Sequence, residues 1–249
     1  MHTRHNTRPT SCWPLAIAAT AGLLMVLLVS VGQAQETAVD HPAPEPPSAT
    51  MRLGELELPL VFQEDFAQGR ARWETTDDGA WDLREVEQRQ VFGLNRRISD
   101  YQPPHRSPHN IALVRNLELA DFVMLVDVRN LADTGGHRDC CIFFAHRSPS
   151  QFYYAHLGAK PDPASGQIMI VSEAPRRPLT ENQREIPWDE RWHRVKLTRD
   201  AAAGAIAVYF DDMETPVMQA TDKSLERGRL GIGSFDDMNE FDNVLIYGR

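Results

Sequence analysis

Four consecutive segments near the C-terminus read WHRVKLTRD (192–200), GAIAVYFDD (204–212), GRLGIGSFDD (228–237) and FDNVLIYG (241–248). Within the first segment, apolar Val195 and Leu197 alternate with polar Arg194 and Lys196. A period of two is typical of a strand that packs one face on a core and turns the other to water. Gly and Asp residues separate the segments, as turns between strands require. The segments therefore predict consecutive antiparallel β-strands.

The same pattern recurs through the rest of the chain, and helical periodicity is scarce. Strands are predicted at residues 58–66, 80–86, 111–115, 122–129, 140–146, 151–157, 167–172, 192–199, 205–210, 216–220, 230–235 and 243–247. One short helical turn is predicted at residues 222–226. Many short strands separated by turn residues are typical of an all-β protein with an antiparallel β-sandwich or jelly roll.

Length and composition bound the number of domains and the class of partner. The chain has 249 residues, of which 42% are hydrophobic, and a formal net charge of −9. This is enough for one sizeable core, so we expect a single folded domain that acts as a monomer. Nucleic acid is excluded as a partner, because its recognition needs a basic surface. A strongly anionic glycan would need a local basic cleft.

The N-terminus has the features of an export signal. Arg4 and Arg8 precede an apolar stretch at residues 15–31, and small residues that suit cleavage end at Ala34. We therefore expect a signal peptide over residues 1–34, which makes the protein secreted or periplasmic, with no membrane span after cleavage. The alternative is an uncleaved N-terminal membrane anchor, because the apolar stretch approaches the ~18 residues that a span needs.

Residues 35–50 contain four prolines and almost no bulky apolar side chains. Such a composition favours an extended, disordered linker. No second break in composition follows it. The sequence therefore predicts one folded domain over residues 51–249.

Five short motifs carry a resemblance to a known fold. They are FQEDF (62–66), WHRVKL (192–197), VYFDD (208–212), GRLGIG (228–233) and FDNV (241–244). They resemble concanavalin A-like and laminin-G-like jelly rolls, and the chain is similar to the 3-keto-disaccharide hydrolase-type domains of secreted bacterial proteins. The resemblance implies an antiparallel jelly-roll sandwich, with the first strand beside the last, and a carbohydrate ligand. It leaves open whether the chain binds a glycan or acts on one.

The resemblance also implies a structural calcium ion on the convex face, near both termini. In the laminarinase- and lichenase-like relatives of this fold, the first and last strands supply carboxylates to that ion. The matching residues are Asp65 (or Glu64) and Asp242, and backbone carbonyls can supply the other oxygens that calcium needs. The alternative is that Asp65 and Asp242 are turn or edge residues with local hydrogen bonds.

Three segments in the middle of the chain concentrate His, Arg and Tyr: PHRSPHNI (104–111), GGHRDCC (135–141) and FYYAHL (152–157). On a strand, Phe152, Tyr154 and His156 share one face, which we expect to be the concave face of the sandwich. On the neighbouring predicted strand, the same alternation assigns His146 to the face of Phe144.

This collection suits a cleft for a sugar, because aromatic rings stack on sugars while Arg, His and Asn bond hydroxyls and carboxylates. The candidate binding residues are Arg106, Asn110, Asp139, His146 and Arg176. The collection also suits β-elimination of a uronic acid, in which Arg neutralises the carboxylate and His or Tyr transfers protons. The candidate catalytic residues are His156, Tyr154, His109 and Arg138. The alternative is that all of these are ordinary polar residues of a sheet.

Other chemistries leave little trace in the sequence. A strand of the type E-x-D-x-E is absent, which disfavours hydrolysis by the usual pair of carboxylates. Cys140 and Cys141 are adjacent, so on a strand they point to opposite faces, and we interpret them as small apolar residues. The sequence therefore predicts a carbohydrate-binding jelly roll, with a polysaccharide- or disaccharide-active hydrolase or lyase as the alternative.

Overall fold

The computed structural model describes residues 46–249. The predicted signal peptide (1–34) and residues 35–45 of the predicted linker lie outside this range. Within it, no helix has the length and apolar character to cross a membrane. The first strand begins at Thr50, next to the domain start expected at residue 51. The division of the chain into signal peptide, linker and domain stays a prediction.

Strands dominate the described residues, which contain two short 3-10 turns, Asp78–Ala80 and Gly135–His137. The strands are β1 Thr50–Leu53, β2 Leu56–Glu64, β3 Trp73–Thr75, β4 Trp81–Val86, β5 Arg89–Leu94, β6 Asn110–Leu119, β7 Phe122–Asn130, β8 Cys141–Ser148, β9 Gln151–His156, β10 Ile168–Ser172, β11 Arg177–Pro178, β12 His193–Asp200, β13 Ala205–Phe210, β14 Met218–Thr221, β15 Gly228–Ser234 and β16 Asn239–Gly248. Each strand predicted from the sequence overlaps one of these.

The strands form two antiparallel sheets. The nine-stranded sheet has the order β1-β2-β16-β7-β12-β13-β14, with β5 paired to β16 and β4 paired to β5. The seven-stranded sheet has the order β11-β10-β9-β8-β15-β6-β3. The long strand β2 lies beside the last strand, with Glu64 opposite Val244, as the resemblance implied. The prediction of an all-β antiparallel sandwich is confirmed.

The main apolar core lies between the two sheets. Val195 and Leu197 of β12 both point into it, as their alternation with polar residues predicts. Aromatic rings fill much of it, and Trp81 stacks on Phe92 with ring centroids 4.7 Å apart. Each fully buried side chain of this size stabilises the fold by about 1.5–3 kcal/mol. The core therefore outweighs any single polar contact in holding the two sheets together.

A second apolar cluster lies on the outer face of the seven-stranded sheet. Its members are Ile111, Leu113, Cys141, Phe143, Phe152, Tyr154, Met169 and Val171. They alternate along their strands with residues of the main core, such as Ala112 and Ile170. None is more than 5% exposed, although an outer sheet face normally meets water. This face is therefore covered, and we call it the covered face.

The segment 95–109, between β5 and β6, crosses the covered face. At one end it enters β6 at Asn110. Further back, the backbone carbonyl of Arg106 accepts a hydrogen bond of 3.1 Å from the backbone N–H of Arg176, which follows β10. Because β15, β8 and β9 lie between β6 and β10 in the sheet, the segment must span these strands. It acts as a lid on the apolar side chains beneath.

A β-bulge in β8 corrects the predicted orientation of His146. Phe143 lies opposite Gly231 of β15, and His146 lies opposite Arg229, so two residues of β8 face one residue of β15. The extra residue is Ala145, which has φ of 47° and packs in the main core together with its neighbour Phe144. The bulge reverses the alternation beyond it. His146 therefore leaves the face of Phe144 and lies with the covered face.

The helical turn predicted at 222–226 is wrong, because side chains occupy the backbone groups that a helix would use. The buried guanidinium of Arg199 donates to the carbonyls of Gly204, Asp222 and Leu225 at 3.1, 2.8 and 3.2 Å. The N–H of Leu225 donates to the Tyr153 hydroxyl at 2.9 Å. These tertiary bonds hold the segment in a conformation that is not helical.

Four strands were missed by the sequence prediction: β1, β3, β5 and β11. The two-residue loop before β5 explains one of them, since Val86 pairs directly with Arg89. The loop residues Glu87 and Gln88 have φ of 50° and 66°, as a type I′ turn requires, but such turns usually contain Asn or Gly. The turn therefore left no signal in the sequence. The other three strands have two to four residues each.

Replacing Arg199 by Leu should lower the free energy of unfolding by about 3 kcal/mol or more, because buried carbonyls lose their donors. Chemical denaturation of the purified protein measures the change. Arg147→Leu is the matched control, because Arg147 is exposed and should change stability by less than about 0.5 kcal/mol. Equal effects of the two substitutions would contradict the structural role assigned to Arg199.

Candidate functional site

A cleft of about 590 Å³ opens at one end of the covered face. Side chains that line it come from the crossing segment, from the start of β8, from the end of β9 and from the turn after β15. They include Arg97, Arg106, Asp139, His156, Arg176 and Phe235. The loop 162–165 forms another wall. The cleft therefore lies where the crossing segment leaves the sheet only partly covered.

Asp139 is the most firmly held residue of the cleft. Its backbone N–H donates to the carboxylate of Asp237 at 2.9 Å. Its backbone carbonyl accepts hydrogen bonds of 3.0 Å from the side-chain amides of Asn130 and Asn239. Its Oδ1 accepts a hydrogen bond from the Ser234 hydroxyl at 3.1 Å. All these side chains are buried, so they fix the position of the second carboxylate oxygen, Oδ2.

His156 stands against Asp139 and is 4% exposed. Its Nδ1 lies 3.0 Å from the carbonyl oxygen of Ala164. A carbonyl only accepts, so Nδ1 carries the hydrogen and donates it. The other nitrogen, Nε2, lies 3.1 Å from Oδ2 of Asp139. Both ring nitrogens therefore face protein groups.

Phe235 is the partly exposed aromatic ring of the cleft. The guanidinium carbon of Arg176 lies 4.2 Å from its ring centroid, and that of Arg106 lies 5.8 Å away. The rings of His109 and His156 lie 5.4 and 6.0 Å from it. Phe235 thus holds two arginines and two histidines together through ring and cation–π contacts.

Charge in the cleft is mixed, with arginines prominent at its mouth. Arg97 donates to the backbone carbonyl of Asp236 at 2.8 Å. Below the mouth, burial and then the nearby charge of Asp139 raise the pKa of Asp237. Burial lowers the pKa of His109, with Asp236 opposing the shift and Arg106 and Arg176 adding to it.

The structure brings together several of the residues predicted from the sequence. Asp139, His156, Arg106 and Arg176 line the cleft, and His109 reaches it through its contact with Phe235. Phe152, Tyr154 and His156 share one face of β9, as predicted, and the Tyr154 and His156 rings lie 6.0 Å apart.

The sequence prediction missed Phe235, Arg97 and Asp236. Phe235 was predicted as the last residue of the strand 230–235, and Asp236 after it was interpreted as a turn residue. Arg97 lies in the crossing segment, where no periodicity marks a role. For this wall of the cleft, the sequence offered one signal, which was an aromatic residue at the end of a predicted strand.

Other predicted residues lie away from the cleft. Tyr154 is fully buried in the covered face, and burial raises the pKa of its hydroxyl well above its usual range while Arg176 opposes the shift. Arg138 is buried and donates to the carbonyl of Ala132 at 3.0 Å. Asn110 is buried at the start of β6 and donates to the carbonyl of Arg97 at 3.4 Å. Their catalytic or binding roles stay predictions.

His146 lies at the far side of the same face. Its ring stacks on Phe152 with centroids 5.1 Å apart. Burial lowers its pKa from 6.5 to about 4, and the adjacent charge of Arg229 adds to the shift. His146 is therefore neutral near pH 7, and its ring serves as a packing surface.

The two predicted calcium ligands have protein partners. Asp65 is exposed, and its carboxylate accepts a hydrogen bond of 3.1 Å from the N–H of Ala67. Asp242 is fully buried and forms an ion pair of 2.6 Å with Arg89. Glu64 is buried and accepts from the N–H of Phe66 at 3.1 Å. Within residues 46–249, the one group of three side chains with metal-ligating spacing is Asp139, Cys141 and His156.

No family model matches the sequence, and no curated protein matches it. Comparisons with solved structures agree with the architecture described above. Among solved structures, it is similar to the carbohydrate-binding module CBM66 from Bacillus subtilis, with a TM-score of 0.52, 17% identity and coverage of 71% of this chain and 96% of that one.

Two further solved structures show a similar fold. Domain 4 of an extracellular arabinanase of family GH43 from Geobacillus stearothermophilus, in complex with arabinotriose, has a TM-score of 0.51 at 12% identity and covers 76% of this chain and 92% of that one. Lectin I from Ulex europaeus, in complex with the methyl glycoside of α-L-fucose, has a TM-score of 0.50 at 12% identity and covers 75% and 96%. The chain therefore has the concanavalin A-like jelly-roll fold that its motifs predicted.

The depressed pKa of His146 predicts that the fold loses stability in mild acid. Below pH 6.5 the unfolded chain binds a proton at His146 and the folded chain does not, so the free energy of unfolding falls as the pH falls toward 4. Between pH 7 and pH 5, His146 alone contributes a loss of about 2 kcal/mol.

His146→Phe keeps a ring against Phe152 and removes this proton, so the variant should lose about 2 kcal/mol less than the parent between pH 7 and pH 5. Urea denaturation at both pH values measures the two slopes. Comparing slopes cancels any constant change in packing caused by the substitution. Parallel slopes for the two proteins would show that His146 is protonated equally in both states.

Proposed function

We propose that this chain is an exported carbohydrate-binding jelly-roll domain that binds a glycan in the cleft at the end of the covered face. One observation carries the proposal: Phe235 presents Arg106 and Arg176 side by side at the mouth of the cleft. Arginine and carboxylate groups supply the fixed donors and acceptors that sugar hydroxyls need. The partly exposed ring supplies an apolar edge between them.

The solved structures with this fold support the same class of ligand. One is named as a carbohydrate-binding module, and two are in complex with sugars. At 12–17% identity they carry no information about individual residues here. The argument for the site therefore rests on the cleft itself.

The arginines favour a glycan that carries carboxylates. Ion pairs in the described part of the chain engage Arg97 with Asp236 and Asp237, whereas none of those between described residues involves Arg106 or Arg176. A uronic-acid carboxylate can accept paired hydrogen bonds from a guanidinium, which are about twice as strong as neutral ones. We therefore expect acidic polysaccharides to bind more tightly than neutral ones.

Burial of three of the four candidate catalytic groups favours binding over catalysis. Tyr154, His156 and Arg138 are at most 5% exposed. The ring nitrogens of His156 face Ala164 and Asp139, so neither is directed at a substrate in the cleft. A general base must lie within hydrogen-bond reach of the proton that it takes. The alternative, a hydrolase or lyase, would need these groups to rearrange.

Export and calcium belong to the same proposal. The signal peptide expected at residues 1–34 would deliver the domain to the periplasm or the medium, where polysaccharides are met, as a monomer. A structural calcium ion held by Asp65 and Asp242 would have to compete with Arg89 for the Asp242 carboxylate. Its effect is tested by adding calcium or a chelator to the binding assay below.

Arg106→Ala should weaken retention of the protein in polygalacturonate or alginate gels by about tenfold or more, because a charged hydrogen bond contributes about 1.5–3 kcal/mol. Affinity electrophoresis at several polysaccharide concentrations gives the dissociation constants. Arg177→Ala is the matched control, since Arg177 is also exposed but does not line the cleft. Equal weakening by both variants would indicate binding through general charge and would contradict the proposed site.

Incubation with acidic and neutral polysaccharides should yield no soluble products. New reducing ends are assayed for hydrolysis, and the unsaturated chromophore is assayed for elimination, both with calcium and with a chelator. Retention without products is the expected result. Products formed by the parent and lost in His156→Ala would overturn the assignment as a binding domain and establish the enzyme alternative.

A further inference from the structure

We propose that Asp139, Cys141 and His156 form a binding site for a divalent transition-metal ion of the zinc type at the inner end of the cleft. The site is separate from the calcium ligands predicted at the termini. It uses Cys141, to which the sequence assigned only an apolar role.

The sheet itself assembles the three ligands. Asp139 and Cys141 are two residues apart, so along an extended chain their side chains leave on the same side. His156 of β9 is the register partner of Cys141 across the hairpin. The carboxylate oxygen, the thiol sulfur and the imidazole nitrogen lie within 4.8 Å of one another, and all three residues are buried.

The contacts of His156 leave its Nε2 atom for a metal ion. Because Nδ1 donates to the carbonyl of Ala164, Nε2 is the ring nitrogen that can coordinate a metal ion. It lies 3.1 Å from Oδ2 of Asp139, the carboxylate oxygen that does not bond Ser234. Within the described residues, the buried Nε2 has no hydrogen-bond partner, so its in-plane direction misses Oδ2. A metal ion coordinated by both atoms satisfies both lone pairs.

The surroundings orient these ligands as a metal site requires. The bond from Nδ1 of His156 to a backbone carbonyl is the usual outer contact of a metal-bound histidine. Oδ1 of Asp139 accepts from Ser234, which leaves Oδ2 directed at His156. Cys141 is a free cysteine.

The donor set selects the class of metal. Calcium and magnesium prefer oxygen ligands alone, whereas one N, one O and one S donor suit zinc or cobalt. In a tetrahedral zinc site the ligand atoms lie about 3.3–3.6 Å apart, so binding would draw the most distant ligand atoms together by no more than about 1 Å. Since Asp139 and His156 line the cleft, the fourth ligand would be water or a molecule bound there.

Cobalt(II) chloride titrated into chelator-treated, purified protein tests the proposal. The expected result is a thiolate-to-cobalt charge-transfer band in the near ultraviolet, together with visible d–d bands. Both should saturate at one equivalent and disappear when zinc is added. A protein that shows no bands, and that retains no cobalt after gel filtration, would overturn the proposal.

Matched variants assign the ligands. Cys141→Ser should lose the near-ultraviolet band, whereas Cys140→Ser should keep it, because Cys140 points into the main core on the opposite face. Asp139→Asn keeps an acceptor for Ser234 and should weaken cobalt binding by at least the ~10–100-fold that loss of an outer partner of a metal ligand costs. If a cysteine variant fails to fold, the Asp139→Asn variant still tests the proposed site. A charge-transfer band that persists in Cys141→Ser would contradict the site.

The metal readout is independent of the proposed glycan binding. Retention of the parent protein in polysaccharide gels can be measured in the presence of a chelator, and cobalt spectra can be measured without a polysaccharide. Failure of one experiment therefore leaves the result of the other unchanged.

Discussion

Eight side chains on the outer face of the seven-stranded sheet must be kept from water, and this constraint organises the rest of the molecule. They are no more than 5% exposed, and exposing a side chain of this size would cost about 1.5–3 kcal/mol. The crossing segment 95–109 meets this requirement and is held at its far side by the bond from Arg176 to Arg106. The cleft lies where this segment does not cover the end of β9. The same contact that secures the lid thus places two arginines at the mouth of the cleft.

Asp139 links the two sheets to the cleft. Its contacts reach Asn130 at the end of β7, Ser234 at the end of β15 and Asn239 at the start of β16. These hydrogen bonds fix the position of the Asp139 carboxylate inside a buried polar network. Among the described residues, the buried atoms of this network without a hydrogen bond include Nε2 of His156, Oδ1 of Asp237 and Oδ1 of Asn239. Of these three atoms, Nε2 of His156 is the one that lies 3.1 Å from Oδ2 of Asp139, and the metal inference rests on that pair together with Cys141.

The sequence predicted the sheet better than the site, for physical reasons. Alternation identifies strands because burial on one face is local, and the central strands were located within a few residues. It failed where the backbone departs from regularity. Ala145 adopts a positive φ although it is not a glycine. The sequence therefore contains no glycine that would indicate the bulge, which moves His146 to the other face. Tyr154 and His156 were correctly predicted to share one face of their strand, but the alternation could not show that both side chains are buried. Phe235 was missed because its role depends on residues more than fifty positions away.

The net charge of −9 opposes the approach of an acidic ligand, but distance determines how strongly that charge acts in the cleft. At physiological ionic strength, interactions between exposed charges are screened over about 8 Å. Charges spread over the whole surface therefore act weakly on a carboxylate held in the cleft. Arg106 and Arg176 both lie within 6 Å of the Phe235 ring. They would therefore act directly on a carboxylate bound there. The acidic surface slows the approach of a polyanion at low salt, whereas the local pair of guanidinium groups determines how tightly a bound carboxylate is held. Adding salt should therefore weaken the long-range repulsion before it weakens the bound contact.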